Sequence, residues 1–391
     1  MASATDPDSV ERLCKLQVTR RQILQAAATG AAGAALVAGP STVTRAQEEP
    51  QVIYDGGVFD AGGETLRIGS WPGFWEEELE RPLILDQMEE EFNCSIAYDG
   101  TFPWFPKFVA SGADNPPLDV TNWNLEELYK TTRAGDFFVP LEELVANVPN
   151  SQELWPFAYT TGLGITYLFS GYGYGYRTDL VDPAPEKFAD FWEERFTDKR
   201  GTYVTSNELF QTWFVMTMLT FGADEYDIET GLQKVQEAMP MKISDFTGNM
   251  QTLLERGEVE ICVQTDFEVF AQQDKGIAAG WMYWAEKEKT PILTQTKVVS
   301  KGSNETQKRL AYAYVNRCAS KEFQEAVAEK LYLRPTNKNA AIPENLASKG
   351  VENTEDAANQ LWIPDWNWYV DHDGRGDPDI TERVNEIFGQ G

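Results

Sequence analysis

At 391 residues the chain has room for two domains. Its 62 Asp and Glu against 33 Lys and Arg give a net charge of −29, a surface that repels nucleic acid and anionic membrane, so neither is expected as a partner. One histidine (His372) and four scattered cysteines (Cys14, Cys94, Cys262, Cys318) give no support to a histidine-based triad and form no CxxC pair for a zinc or thioredoxin site, so no cofactor or metal is expected.

The acidity matches a chain built for high salt and does not identify a ligand. Aromatics make up 12% of the residues, with 12 Trp. That suits a site stacking on flat or cationic groups, although core packing draws on the same residues.

Residues 1–46 read as an address rather than a fold. Thr19-Arg20-Arg21-Gln22-Ile23-Leu24, followed by AAATGAAGAALVAGP, resembles a twin-arginine export signal. The apolar run is too short to span a membrane. Cleavage after Ala46 would remove Cys14 and leave three cysteines, enough for one disulfide within the chain. The expected location is extracellular or at the cell surface. Residues 47–63, acidic and glycine-rich, read as a flexible linker. Asn93-Cys94-Ser95 and Asn304-Glu305-Thr306 match the glycosylation sequon.

The folded part opens at Thr65 with the strand TLRIGS, ending at Trp71. A helix follows with Leu79, Leu83, Met88 and Phe92 on one face. CSIAYDG is a second strand, and LDVTNW a third that ends at Asn122-Trp123. LEELYKTTRAG is a helix stopped by Gly135. Residues 162–181, GLGITYLFSGYGYGYRTDLV, alternate glycine with aromatics, and we read them as the crossing between two lobes. A buried, Tyr-rich strand with a glycine bulge is the competing interpretation.

The second run starts with KFADFWEERF as a helix. GTYVTS is a strand, and Asn207 caps the apolar helix ELFQTWFVMTMLTFG. MQTLLERG is a helix, EVEICVQ a strand, and Asp266 opens another helix. WMYW is a strand, and TPILTQTKVVSKG returns to the first lobe. Two helices follow, then the Trp-rich LWIPDWNWYV and the helical ITERVNEIF.

Alternating strands and helices predict an α/β fold with mainly parallel mixed sheets. Ligands bind such sheets beyond the carboxyl ends of their strands. Trp71, Asn122, Trp123, Thr205, Glu208 and Asp266 all follow predicted strands, and two facing lobes would bring them to one cleft. Tyr167 and Phe169 would line its hinge side or fill the core. Glu208 falls in a first helical turn, where the dipole alone favours a carboxylate, and Asp266 also fits a plain helix cap.

From about Leu66 to its end the chain resembles the binding proteins of ABC importers, in their spermidine/putrescine branch. LRIGSWPGFW resembles the first strand with its paired aromatics, here Trp71 and Phe74. GYGYGYRTDLV, FADFWEERFTDKRG, TSNELFQ and ERGEVEICVQTD resemble successive family stretches in order. The resemblance implies a two-lobed periplasmic-binding-protein fold of type II: residues 64–170 plus 294–342 form lobe one, and 171–293 plus 343–391 form lobe two. It implies a ligand carboxylate at Glu208. Where the family carries a second carboxylate, this chain has Thr205. Where its returning strand brings Trp-x-Asp, this chain has Ile292 and Thr294. Asp266 is the candidate replacement charge.

The expected function is a secreted, non-catalytic, monomeric receptor that closes on a polyamine-like cation and docks on the transmembrane subunits of an ABC permease. Trp71 and Phe74 would stack on the alkyl-ammonium chain, a contact of about 0.5–2 kcal/mol. The alternatives are another cargo on the same fold (a sugar, an anion or a metal) and a secreted glycoside hydrolase using paired carboxylates.

Overall fold

The computed structural model describes residues 50–287, 289–373 and 379–390. The twin-arginine segment, its cleavage point and Cys14 lie outside the described residues, as do residues 374–378 after His372.

Among the described residues there are eleven strands: β1 (Thr65–Gly69), β2 (Ser95–Asp99), β3 (Val120–Trp123), β4 (Ile165–Arg177), β5 (Arg200–Tyr203), β6 (Lys242–Ser244), β7 (Ile261–Thr265), β8 (Ala279–Tyr283), β9 (Thr290–Val299), β10 (Arg334–Pro335) and β11 (Leu361–Trp362). They bond in the order β2-β1-β3-β9-β4-β7-β5-β6, with β8 and β10 on β4 and β11 on β9. The path is continuous only because β4 is shared. Its first part, Ile165–Gly171, pairs with β9, and Tyr172–Tyr176 pairs with β7. One lobe is therefore built around β2-β1-β3 and the other around β7-β5-β6. Both triplets are parallel, whereas β4 and β9 run antiparallel to their neighbours in these sheets.

The glycines of β4 are there for close approach, not for bending. A Cβ on Gly173 would stand 2.2 Å from the Met282 carbonyl oxygen, and one on Gly171 would stand 2.8 Å from the Tyr283 ring. The strand runs unbroken for 13 residues, with one register shift between Thr166 and Leu168.

Three expectations about elements need correction. The first helix begins as a π-helix, Trp75–Leu85, and continues as α-helix over Asp86–Phe92. Its wider turn moves the buried face from Leu79 to Ile84, then Met88 and Phe92, so Leu83 is left half-buried. KFADFWEERF is not one helix but two 3₁₀ turns, Phe188–Trp192 and Glu194–Phe196. The described part of the linker, residues 50–63, is docked: Ile53 and Tyr54 donate their backbone N–H to Asn147 Oδ1 at 2.7 and 3.0 Å, and Phe59 packs on Phe92.

Two large apolar clusters form the core. One lies largely under β1 and the helix Glu305–Cys318, the other largely around the helix Glu208–Phe221. Cys94, Cys262 and Cys318 are buried free thiols within them. Among the described residues no helix is long and apolar enough to cross a membrane.

Candidate ligand-binding cleft

On the lobe-one side, β1 delivers Trp71 and β3 delivers Asn122. Trp71 is half-buried, and its Nε1–H donates to Gln295 Oε1 at 2.5 Å. Asn122 Nδ2 donates to the same oxygen at 2.7 Å. Asn122 is fully buried, yet its Oδ1 has no hydrogen-bond partner among the described residues. Phe74 stands 39% exposed at the start of the π-helix.

On the lobe-two side, Asn207 caps the helix Glu208–Phe221 through the Leu209 N–H at 2.9 Å, which fixes Glu208 in its first turn. The Tyr172 hydroxyl donates to Glu208 Oε1 at 3.1 Å, and Oε2 has no partner among the described residues. Burial pushes this carboxyl up to about 8; the Tyr172 hydroxyl and the Leu125 amide oppose that rise, and the Glu126 charge adds to it. Leu125 and Glu126 open the helix Leu125–Ala134 directly after β3, so lobe one faces this carboxylate.

Thr205 is buried beside it. Its carbonyl accepts from Gln211 Nε2 at 3.1 Å, and its hydroxyl lies 3.4 Å from Asn385 Oδ1. A cavity of about 290 Å³ opens here, lined by Phe105, Lys130 and Arg133 on one side and by Thr205, Ser206, Val370, Asp373 and Thr381 on the other. Lys130 Nζ bridges Glu126 at 2.6 Å and Asp373 at 3.2 Å, and Arg133 holds Asp371 at 3.1 Å.

Asp266 is not a free charge. Its carboxylate accepts from the Gly171 and Phe267 amides at 3.0 and 2.8 Å, and Arg334 Nη2 of β10 pairs with it at 2.5 Å. The Tyr283 hydroxyl donates to it at 3.2 Å. Burial raises this carboxyl, and Arg334 and the amides oppose the rise.

The remaining candidates turn inward. Trp123 is fully buried against Trp104, Phe108 and Phe138. Tyr167 stacks on Phe323 in the core, and Phe169 packs on Phe157. Thr294 is buried and bonds to Thr296. The strand alternates faces, so the neighbouring Gln295, not Thr294, meets Trp71 and Asn122. The structure thus gathers Trp71, Asn122 and Gln295 on one side and Glu208, Tyr172 and Thr205 on the other. Sequence reasoning missed Gln295, Tyr172, Arg334 and the Leu125 amide. Gln295 had a signal: with Lys297 it is one of two long polar side chains in an apolar and Thr-rich strand, one position from the residue expected.

Among the described residues no cluster of three or more His, Cys, Asp or Glu is placed to hold a metal. The profile of the bacterial extracellular solute-binding proteins matches residues 166–371. The chain belongs to that family. It is a solute-binding protein and not an enzyme, which sets aside the glycoside hydrolase alternative. No curated protein matches this solute-binding protein in sequence.

Solved structures share its fold. An ABC transporter protein from Clostridium perfringens is 18% identical over 83% of this chain and 99% of its own, with a TM-score of 0.66. A spermidine/putrescine ABC transporter substrate-binding protein from Streptococcus pneumoniae is 17% identical over 84% and 98%, with a TM-score of 0.64. A periplasmic binding protein from A. tumefaciens, solved with agropinic acid, is 16% identical over 84% and 99%, with a TM-score of 0.60. The fold is the mixed α/β, two-lobed, type II solute-binding architecture.

Proposed function

We propose that this protein is the exported, monomeric receptor of an ABC importer, closing on a small donor-rich cation and delivering it to the transmembrane subunits of a permease. The proposed cargo class is polyamine-like, with spermidine and putrescine as the first compounds to test. One observation supports this reading: each lobe carries a buried oxygen with no hydrogen-bond partner among the described residues, Asn122 Oδ1 in lobe one and Glu208 Oε2 in lobe two, and both are proposed to face the cargo. Leaving such an atom unsatisfied costs about 1–3 kcal/mol. A solute with N–H groups would satisfy both at once and so favour the closed arrangement by its differential affinity. Trp71 and Phe74 would offer their faces to its alkyl chain. Export by the twin-arginine route fits the paired arginines at Arg20-Arg21.

A second reading keeps the receptor and changes the cargo to an uncharged or anionic solute, such as a sugar. It draws on the pairing of Asp266 with Arg334, which removes one of the two charges expected to meet a cation, and on the burial that keeps the Glu208 carboxyl largely protonated at neutral pH. A thermal-shift screen in high salt, followed by calorimetry, separates the two. Putrescine or spermidine should raise the melting temperature by mass action. Stabilisation by sugars or organic anions, with no response to either amine, would replace the first reading with the second.

A further inference from the structure

Lobe one contains a buried ion pair that the proposed binding site does not use. Lys297 Nζ lies 3.0 Å from Glu80 Oε1, and both side chains are fully shielded from solvent. Tyr314 places its hydroxyl 2.7 Å from Lys297 Nζ and 2.5 Å from Glu80 Oε1. Ser70, the residue before Trp71, donates to Glu80 at 3.2 Å. The Tyr98 hydroxyl sits 2.7 Å from Glu80 Oε2 and 2.7 Å from the Trp71 carbonyl oxygen. Replacing a buried pair of this kind by apolar side chains is often neutral or stabilising, so stability alone does not account for it.

The network ends on the residue that Gln295 also grips. Gln295 and Lys297 are two apart on β9 and therefore share a face. Gln295 holds the Trp71 indole N–H directly. Lys297 fixes Glu80, and the Tyr98 hydroxyl shares its one proton between Glu80 Oε2 and the Trp71 carbonyl oxygen. β9 also pairs with β4 across the lobe junction and with β11 at its start.

We propose that Gln295 and Lys297 are positioning residues: β9 holds Trp71 at both its indole N–H and its carbonyl, and so sets the ring face offered to the cargo and the direction of Asn122 Oδ1. The proposal rests on Trp71 being a cargo-stacking residue. Gln295 is the sharper handle, because one oxygen accepts from both Trp71 and Asn122.

The test uses the exported chain with ¹⁵N-labelled indoles, and the Trp71 Nε1–H resonance is assigned by its loss in Trp71→Phe. In ligand-free protein, Gln295→Leu should move that resonance and speed its solvent exchange at least tenfold, with the melting temperature held within a few degrees. Gln295→Glu keeps an acceptor oxygen and should restore both. Tyr98→Phe, which loosens the carbonyl grip without touching β9, should shift the same resonance and serves if Gln295→Leu does not fold. Affinity for whichever compound stabilises the wild type should fall about tenfold in Gln295→Leu and recover in Gln295→Glu.

An unmoved resonance in both Gln295→Leu and Tyr98→Phe overturns the proposal. So does weaker binding with an unmoved resonance, which would make Gln295 a direct contact. A moved resonance with unchanged affinity removes Trp71 from the site. If no compound in the screen binds, the cargo reading fails while the indole measurement still decides the positioning of Trp71.

Discussion

Glu208 is a carboxylate that burial holds near neutrality while lobe one presents it with an amide. A cation entering the cleft favours its ionised form, so binding must release a proton wherever the free protein is still protonated. Affinity for a cationic cargo should therefore rise with pH up to about 8 and level off above, with calorimetry in buffers of different ionisation enthalpy reporting close to one proton released at pH 6–7. Glu208→Gln should abolish that pH dependence and weaken a cationic cargo by roughly thirtyfold, about 2 kcal/mol, with the fold intact. The stability of the free protein should move the other way. The raised pKa means the folded state binds more protons than the unfolded chain between about 4.5 and 8, so unfolding becomes easier as pH climbs through that window, and Glu208→Gln should flatten the slope. Glu208 was legible in the sequence because a cap, Asn207, and a strand just before it fix its place. Asp266 was legible in position but not in charge state, since its partner Arg334 lies 68 residues away. Thr294 was named where its neighbour Gln295 meets Trp71 and Asn122, and one step on a strand changes the face.

At the scale of elements, sequence patterns were most readable where one period governs a whole segment. β1, β3, β7 and the helix Glu208–Phe221 have local signals that agree: apolar runs, a cap and a closing glycine. The π-helix Trp75–Leu85 defeats a 3.6-residue count because its turn is wider, and Pro82 within it is a local mark of irregularity. The glycines of β4 mark a crossing between lobes or a bulge when only the sequence is considered, whereas their reason is long-range: Tyr283, Met282 and Asp266 press against the strand from later in the chain. Gly171→Ala should consequently cost about 1–3 kcal/mol, since its Cβ meets an aromatic ring and a carboxylate oxygen at the lobe junction. Gly173→Ala should cost more, because the obstacle is a backbone carbonyl at 2.2 Å that no rotamer can relieve. Denaturant melts of the two variants give the order directly, and a Gly173→Ala protein as stable as wild type would show that β8 is free to shift away from β4.

For the molecule as a whole, a net charge of −29 spread over two facing bodies disfavours their contact. The C-terminal tail offsets this at one lip of the cleft. Its last helix, Ile380–Gln390, is tied to lobe two by Phe388 against Phe210 and by Arg383 with Glu229. The preceding helix, Trp366–His372, meets lobe one through Arg133, which bonds to Asp371 and to Asn367 Oδ1, while Lys130 reaches Asp373. The Arg133 pair is exposed and worth about 0.2–1 kcal/mol; the Lys130 pair is half-buried and less screened. If the lobes close as proposed, the two pairs together would bias closure by a few-fold. Lys130→Ala with Arg133→Ala should enlarge the radius of gyration of the ligand-free protein by small-angle scattering at low salt and lower cargo affinity a few-fold. In molar salt the difference should shrink, because the exposed pair is already screened in the wild type. Equal radii for wild type and double variant at low salt would mean that the acceptors inside the cleft, and not its charged lip, hold the lobes together.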